Sequence, residues 1–327
     1  MGPAWHGVYL TPDSLALQGR VAKECGYMHS LSVHYYCWDC ATAIRERGAG
    51  IAGLLDEAEA QEAAAQLRRL VAAAKSEGLP LRITEANSIS GGGMRWYSES
   101  YGAALWTADF AFDAAAAGVS GLHYHWGVGG TLGGGGPAYT GVQTNFRAAT
   151  GKPYPSVHAP WYGYLLFTHA TQGPGVRFVR HEARRAASPS APSNCSAQIK
   201  VFALTGGDVP SMGQAGASLR LVAINKDLRR ACAVTFSVGG RWGDGLAVYL
   251  LPGARGMMSK GGITWKSQWY EGTSDGRIAG RPMMQPLPPL NVARGAQGGV
   301  GGAAWRTEFT LARLGPGHAA VVTALAA

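Results

Sequence analysis

Before residue 172, short apolar runs of strand character alternate with longer runs of helical period, and the pair recurs four times. Such repetition implies parallel strands joined by crossover helices, because each helix carries the chain back to the end of the sheet where the strand began. The expected strands are residues 5–10, 29–36, 79–84 and 121–125, and the expected helices are 14–25, 54–76, 98–117 and 161–170. Asp13 is the expected N-cap of the first helix. Leu67, Leu70 and Val71 share one face of the second, which Gly78 ends, and Gly118 ends the third. Past Gly173 and Gly175 the character changes. Strand-like runs at 176–181, 198–204, 218–224, 232–238, 246–251, 263–268, 306–311 and 319–323 are separated by Gly, Pro, Asn and Asp, as in a β-sandwich. Residues 186–194 and 283–302 read as loops. The expected organisation is an α/β domain over 1–172 and an all-β sandwich over 173–327.

A chain of 327 residues can bury one large core or two ordinary ones, and 46% hydrophobic with 15% charged residues is a globular composition. No run approaches the roughly 18 consecutive apolar residues of a membrane span. The net charge of +9 fits an acidic substrate or a plain basic surface. Nucleic acid is not an expected partner, since no Lys/Arg run is interleaved with stacking aromatics. Cys37-Trp38-Asp39-Cys40 has the spacing of a redox or zinc pair, but no second pair stands at metal distance, so a structural or incidental role is expected. Asn194-Cys195-Ser196 fits a glycosylation triplet, a hint of secretion. The first residues have neither the basic region nor the apolar core of a signal peptide.

One carboxylate stands out. The run Leu79-Pro80-Leu81-Arg82-Ile83-Thr84 delivers Glu85 into Ala86-Asn87-Ser88-Ile89-Ser90-Gly91-Gly92-Gly93, a strand opening into a glycine-rich loop. Barrel enzymes place their chemistry at that end of a strand; the plainer alternative is an exposed Glu capping the next helix. In the preceding strand His34 and Tyr36 point one way and Tyr35 the other, and the following one ends in His123-Tyr124-His125-Trp126. A Tyr hydroxyl beside a carboxylate nucleophile can orient it and keep it ionised; alternatively the His and Tyr cluster is an aromatic core with polar tips. The glycine run is no phosphate loop, because Met94-Arg95-Trp96-Tyr97 follows it instead of a Lys-Ser/Thr ending.

The stretches HSLSVHYY, LRITEANSISGGG, YGAALWTADFAFDAAAAG, GVSGLHYHWG and WYGYLLFTHAT resemble glycoside hydrolase family 79, the heparanase and β-glucuronidase group. LRLVAINKD and ITWKSQWYEGTSDGRIAG resemble its C-terminal β-domain more weakly. The resemblance implies a retaining hydrolase on a (β/α)8 barrel, with Glu85 as the nucleophile on strand seven. It places His34 and Tyr36 on strand six and His125 on strand eight. Ser90 and Gly92 fall in the loop that approaches the sugar carboxylate, although Ser90 stands where some relatives have Tyr. It further implies a uronic-acid-containing carbohydrate as substrate, no cofactor or metal, and a secreted or vacuolar full-length protein. The family draws its acid/base from an Asn-Glu pair on strand four, and this sequence contains no Asn-Glu pair. Counting back from Glu85, the first expected strand is strand five. The chain therefore reads as strands five to eight of a barrel plus a sandwich: either an incomplete enzyme or a non-catalytic remnant that binds carbohydrate. Asp13 and Asp39 lie after strands five and six, but neither is expected to replace the missing acid.

Overall fold

The computed structural model describes residues 11–26, 28–127, 136–146, 149–182, 198–206, 218–273, 275–294 and 304–326. The expected strand 5–10, the glycosylation triplet 194–196 and the loop 186–194 lie outside the described residues. Two compact units are present: residues 1–163 with 272–276, and residues 164–271 with 277–327.

The first unit opens with α1 (Pro12–Cys25). Its N-cap is Thr11 and not Asp13: the Thr11 hydroxyl accepts from the Ser14 amide, and the Ser14 side chain takes the Thr11 amide in return. Pro12 fits the first turn, where its missing N–H is not needed. Then come β1 (Leu31–Tyr36) and α2 (Trp38–Arg45). Instead of a loop, the CxxC segment is the start of α2, with Cys37 at its N-cap and a Cys37–Cys40 disulfide across the first turn. The helix expected over 54–76 begins instead at Glu57, as α4 (Glu57–Ser76), and a short α3 (Gly50–Leu54) precedes it. The break falls at Asp56, whose carboxylate accepts the amides of Ala58 and Glu59 and so nucleates a new N-terminus. Leu67, Leu70 and Val71 are buried as their spacing requires.

Next come β2 (Leu81–Asn87), α5 (Tyr101–Ala117) and β3 (Gly121–Tyr124). The strands form one sheet in the order β1-β2-β3, parallel throughout, with β2 central. Glu85 therefore lies inside its strand, two positions before the end, and not beyond it. Helix α5 is buried along 101–114, Asp109 and Asp113 included; its left-handed cap is Gly118, as expected. Tyr35 stacks on Phe110 of this helix at 4.5 Å, and the Tyr124 hydroxyl donates to the Thr107 carbonyl. One face of the sheet is thereby committed to α5. The hairpin β4 (Val142–Phe146) and β5 (Pro153–Val157) had no signal in the sequence: the middle of its first strand, Gln143 to Asn145, is polar, and prolines interrupt its second. Helix α6 spans Ala159–Thr171.

The second unit is antiparallel throughout. Strands β6 (Arg177–Phe178), β7 (Ile199–Thr205), β8 (Ser218–Asn225), β10 (Trp242–Leu251), β11 (Thr264–Trp265) and β15 (Ala319–Ala326) run in the order β11-β10-β15-β8-β7-β6. Between them in the chain fall β9 (Cys232–Gly239), β12 (Gln285–Leu287), β13 (Leu290–Arg294) and β14 (Ala304–Leu314). Strand β12 joins the large sheet on β10, and β13-β14-β9 make a second sheet. The segment 283–302, expected as loop, thus contains β12 and β13; its Pro and Gly content masked their pairing with β10 and β14. Leu221 and Ala223 of the large sheet share one core with Phe236, Phe309 and Leu311 of the small one.

A buried arginine and a half-buried lysine also belong to this unit. Arg220 donates to the carbonyls of Ala170 and Gln172 at 3.1 and 2.7 Å, where the last turn of α6 leaves acceptors unpaired. Lys266 Nζ stands 3.2 Å from His169 Nδ1. Burial, then the charges of Lys266 and Arg220, push the His169 pKa down to about 3. Among the described residues no helix is long and apolar enough to cross a membrane.

Candidate functional site

The site lies on the sheet face turned away from α5, and a bulge decides which side chains reach it. Leu81 and Ile83 pair with Leu31 and Val33, and these four side chains are buried. Strict alternation would send Glu85 to that same apolar face. The register shifts instead: Val33 is opposite Ile83, but His34 is opposite Glu85, so Thr84 is an extra residue. Pairing with β3 shifts at the same place, where Ile83 and Ala86 oppose Leu122 and Tyr124. Ala86 thus continues the apolar face, and Glu85 joins His34 and Tyr36. Re-aiming a side chain is what a bulge does to a strand.

The result is a close cluster. The Tyr36 hydroxyl donates to Glu85 Oε1 at 2.7 Å and lies 2.8 Å from His125 Nδ1. His125 Nδ1 is itself 3.3 Å from Oε1, whereas Oε2 has His34 Nδ1 at 3.8 Å. Burial, followed by the bond to Glu85, pushes the Tyr36 phenol well above its ordinary pKa, so it remains a donor. The direction of the Tyr36–His125 hydrogen bond follows the tautomer of the histidine. Glu85 keeps 31% side-chain exposure, so Oε2 can be approached.

Three residues that the sequence did not single out complete the arrangement. Buried Asn87 donates from Nδ2 to the His125 carbonyl at 2.9 Å and accepts the Ser88 amide, fixing the backbone beyond β3. Buried Tyr139 places its hydroxyl 3.3 Å from His125 Nδ1, and that oxygen also accepts from the Gly92 backbone. Ser98, fully buried, accepts from the Ser88 hydroxyl and the Met94 amide. Only Asn87 carried a sequence signal, since period-2 spacing from Glu85 puts it on the same face. Tyr139 and Ser98 arrive through loops, whose course no periodicity encodes.

Gly92 and Ser90 lie in that loop. Gly91, Gly92 and Gly93 all have left-handed backbones, with φ of 69, 88 and 82°. A Cβ at Gly93 would lie 2.9 Å from Ser98 and 3.0 Å from Tyr139, so glycine is needed there for space as well as for φ. The Gly92 carbonyl accepts from the Ala138 amide at 2.7 Å, tying the loop to the segment that carries Tyr139. Ser90 stands in the turn before the glycines and is half-buried. Trp96 follows in a left-handed conformation with φ of 79°, which costs a bulky residue about 1–3 kcal/mol. Among the described residues no group of three His, Cys, Asp or Glu side chains could hold a metal ion.

No protein-family model matches the chain, and no curated protein matches it in sequence. Solved structures do share its fold. One is a crystal structure of a 4-O-α-L-rhamnosyl-β-D-glucuronidase from Fusarium oxysporum 12S in complex with Rha-GlcA. It superposes with a TM-score of 0.62 at 22% identity, over 94% of this chain and 56% of that one. Another is AbfB, a family 51 α-L-arabinofuranosidase from Bifidobacterium longum, with a TM-score of 0.53 at 12% identity, over 98% of this chain and 58% of that one. The chain therefore spans little more than half the length of either structure.

Proposed function

We propose that the chain is part of a retaining glycoside hydrolase of the β-glucuronidase type, with Glu85 as its nucleophile. In this reading β1, β2 and β3 are strands six, seven and eight of a (β/α)8 barrel, and the second unit is the accompanying β-sandwich. The observation that carries it is the asymmetry of the Glu85 carboxylate: Oε1 is held by Tyr36 at 2.7 Å, while among the described residues Oε2 has the longer contact to His34 at 3.8 Å. An anchored oxygen fixes the carboxylate plane, and its partner is left to attack.

The chemistry runs in two displacements. Oε2 bonds to the anomeric carbon as the bond to the leaving-group oxygen breaks, and that oxygen takes a proton from a general acid. The acid, now a base, removes a proton from water, which displaces Glu85 with retention of configuration. Tyr36 and His125 keep Glu85 in place through both steps. Retention requires a second carboxyl group about 5–5.5 Å from the nucleophile. The sequence lacks the Asn-Glu pair that would supply it, so we place the acid/base on a barrel strand not contained in residues 1–327.

The substrate we propose is a β-linked uronic acid. The net charge of +9 and the glucuronidase among the solved structures of this fold support that choice. Ser90 and Gly92 line the approach to the sugar carboxylate in this assignment. The Cys37–Cys40 disulfide, with Cys232 also disulfide-bonded, supports an oxidising compartment such as the secretory pathway, the vacuole or the exterior. The missing pair equally favours a second reading, a carbohydrate-binding protein without turnover.

A 2-fluoro glucuronosyl inactivator with a dinitrophenolate leaving group tests Glu85 without help from an acid. We expect covalent label on the peptide containing Glu85, abolished by Glu85→Gln. Undiminished labelling of that peptide in the variant overturns the assignment. Turnover of an unactivated disaccharide by residues 1–327 would refute the missing acid, whose contribution is about 10²–10⁴-fold.

A further inference from the structure

The CxxC segment begins one residue after Tyr36. Tyr36 is the last residue of β1 and forms the last rung of its pairing with β2, opposite Asn87, so that ladder does not hold the backbone beyond it. The next residue, Cys37, is the N-cap of α2, and its side chain makes no capping hydrogen bond. Serine, threonine, aspartate or asparagine at an N-cap accepts an amide of the first turn and so fixes the entry of the chain into the helix. Here the side chain is bound covalently to Cys40 instead, and both cysteines are buried. The disulfide thus ties the junction between β1 and α2.

What hangs from that junction tolerates little movement. The Tyr36 hydroxyl donates to Glu85 Oε1 at 2.7 Å and lies 2.8 Å from His125 Nδ1. It stands at the far end of the ring, so a small rotation of the backbone at Tyr36 becomes a larger displacement at the oxygen. A shift of about 1 Å is enough to lose either contact as a hydrogen bond. Misplacement of that size in an active site can cost about 100-fold in rate. Global stability does not account for the cross-link, because its effect on the unfolded chain shrinks with loop length and the two cysteines are three residues apart. Position and loop length together point to a local use.

We propose that Cys37 and Cys40 are positioning residues of the Glu85 site: their disulfide fixes the backbone that follows Tyr36, and its reduction loosens the hold of Tyr36 on Glu85. This rests on the reading of Glu85 as nucleophile and adds a dependence on the oxidation state of the pair. Reduction by a dithiol breaks the S–S bond. Two electrons and two protons pass to the protein, which ends with two thiols, and the reductant ends as its own disulfide.

The rate at which the 2-fluoro glucuronosyl inactivator labels Glu85 tests this in a double-mutant cycle. The four proteins are the unsubstituted chain, Cys37→Ser with Cys40→Ser, Tyr36→Phe, and all three substitutions together. Serine is close to cysteine in size and a preferred N-cap, so α2 keeps its start, and the disulfide of Cys232 is left in place. We expect the serine pair to slow labelling about tenfold in the unsubstituted background and less than about twofold in Tyr36→Phe, where there is no hydroxyl left to misplace. A second measurement needs no substitution at the cysteines. Once alkylation and mass spectrometry find Cys37 and Cys40 as thiols after dithiol treatment, labelling should slow to the same extent, and reoxidation should restore it. An unchanged rate with the pair reduced or replaced overturns the inference and leaves Glu85 as nucleophile. Equal slowing in both backgrounds overturns it too, assigning the disulfide to folding of the unit as a whole. Failure of the unsubstituted, oxidised chain to label overturns the reading of Glu85 and this inference with it.

Discussion

Strands β2 and β8 are each flanked by a neighbour on both sides, yet they are built for opposite ends. All residues of β8 are buried, from Ser218 to Asn225, and its register to β7 and β15 is unbroken. In β2 the register breaks against both neighbours at the same point, and Glu85, just past the break, remains partly exposed. A strand that only fills a core keeps its alternation. A strand that must carry a carboxylate out of an apolar sequence context changes phase once, and the extra residue Thr84 is how β2 does it.

Exchanging the two residues, Thr84→Glu together with Glu85→Thr, breaks this comparison most directly. The carboxylate would then sit on the extra residue, away from the Tyr36 and His125 side chains that hold Glu85. The expected outcome is loss of labelling on the β2 peptide while the first unit stays folded, read by mass spectrometry and hydrogen exchange; undiminished labelling would show that the phase of the strand does not matter. Phe309→Ala probes the other side. Phe309 is fully buried between the sheets of the second unit, so about 3–5 kcal/mol should be lost there. Exchange protection of β1 to β3 should be retained if the units melt separately.

A smaller effect sharpens the role of the polar face. Tyr36→Phe removes a hydrogen bond to a carboxylate, worth about 1.5–3 kcal/mol. Inactivation at Glu85 should slow about 10- to 100-fold, with a melting temperature close to that of the unsubstituted protein. A large drop in melting temperature would make Tyr36 a folding residue instead.

The smallest effect, counted per pH unit, belongs to the second unit. His169 is neutral when folded because its pKa is pushed down to about 3, from an ordinary value of 6.5. Below 6.5 the unfolded chain takes up a proton that the folded one refuses. Stability therefore falls as pH falls through that window, by at most about 1.4 kcal/mol per pH unit, and the loss is complete near 3. His169→Gln keeps an acceptor for Lys266 and should flatten the dependence of the urea midpoint on pH. An unaltered slope would show that His169 is not the group responsible.

Much of this molecule was legible along the chain. Alternation in HSLSVHYY correctly put His34 and Tyr36 on one face and Tyr35 on the other, because side-chain direction in a strand has period two whatever the strand packs against. Gly118 ended α5 as read, since its left-handed backbone is a local demand. Helix α2 was missed because a Cys at the N-cap gives no capping signal, and its disulfide joins residues whose spacing also fits other roles.

What the tertiary structure alone decided is the phase of Glu85 and the identity of its surroundings. The motif around Glu85 marks a candidate carboxylate, but alternation from Leu81 and Ile83 assigns it to the wrong face. Only pairing with two neighbours at once reveals the extra residue. Tyr139 reaches His125 because the Gly92 carbonyl binds the Ala138 amide and Gly93 leaves room for the ring. The physical reason is range. Propensity and period act over a few residues, whereas register and loop closure are fixed by contacts between segments far apart in the chain.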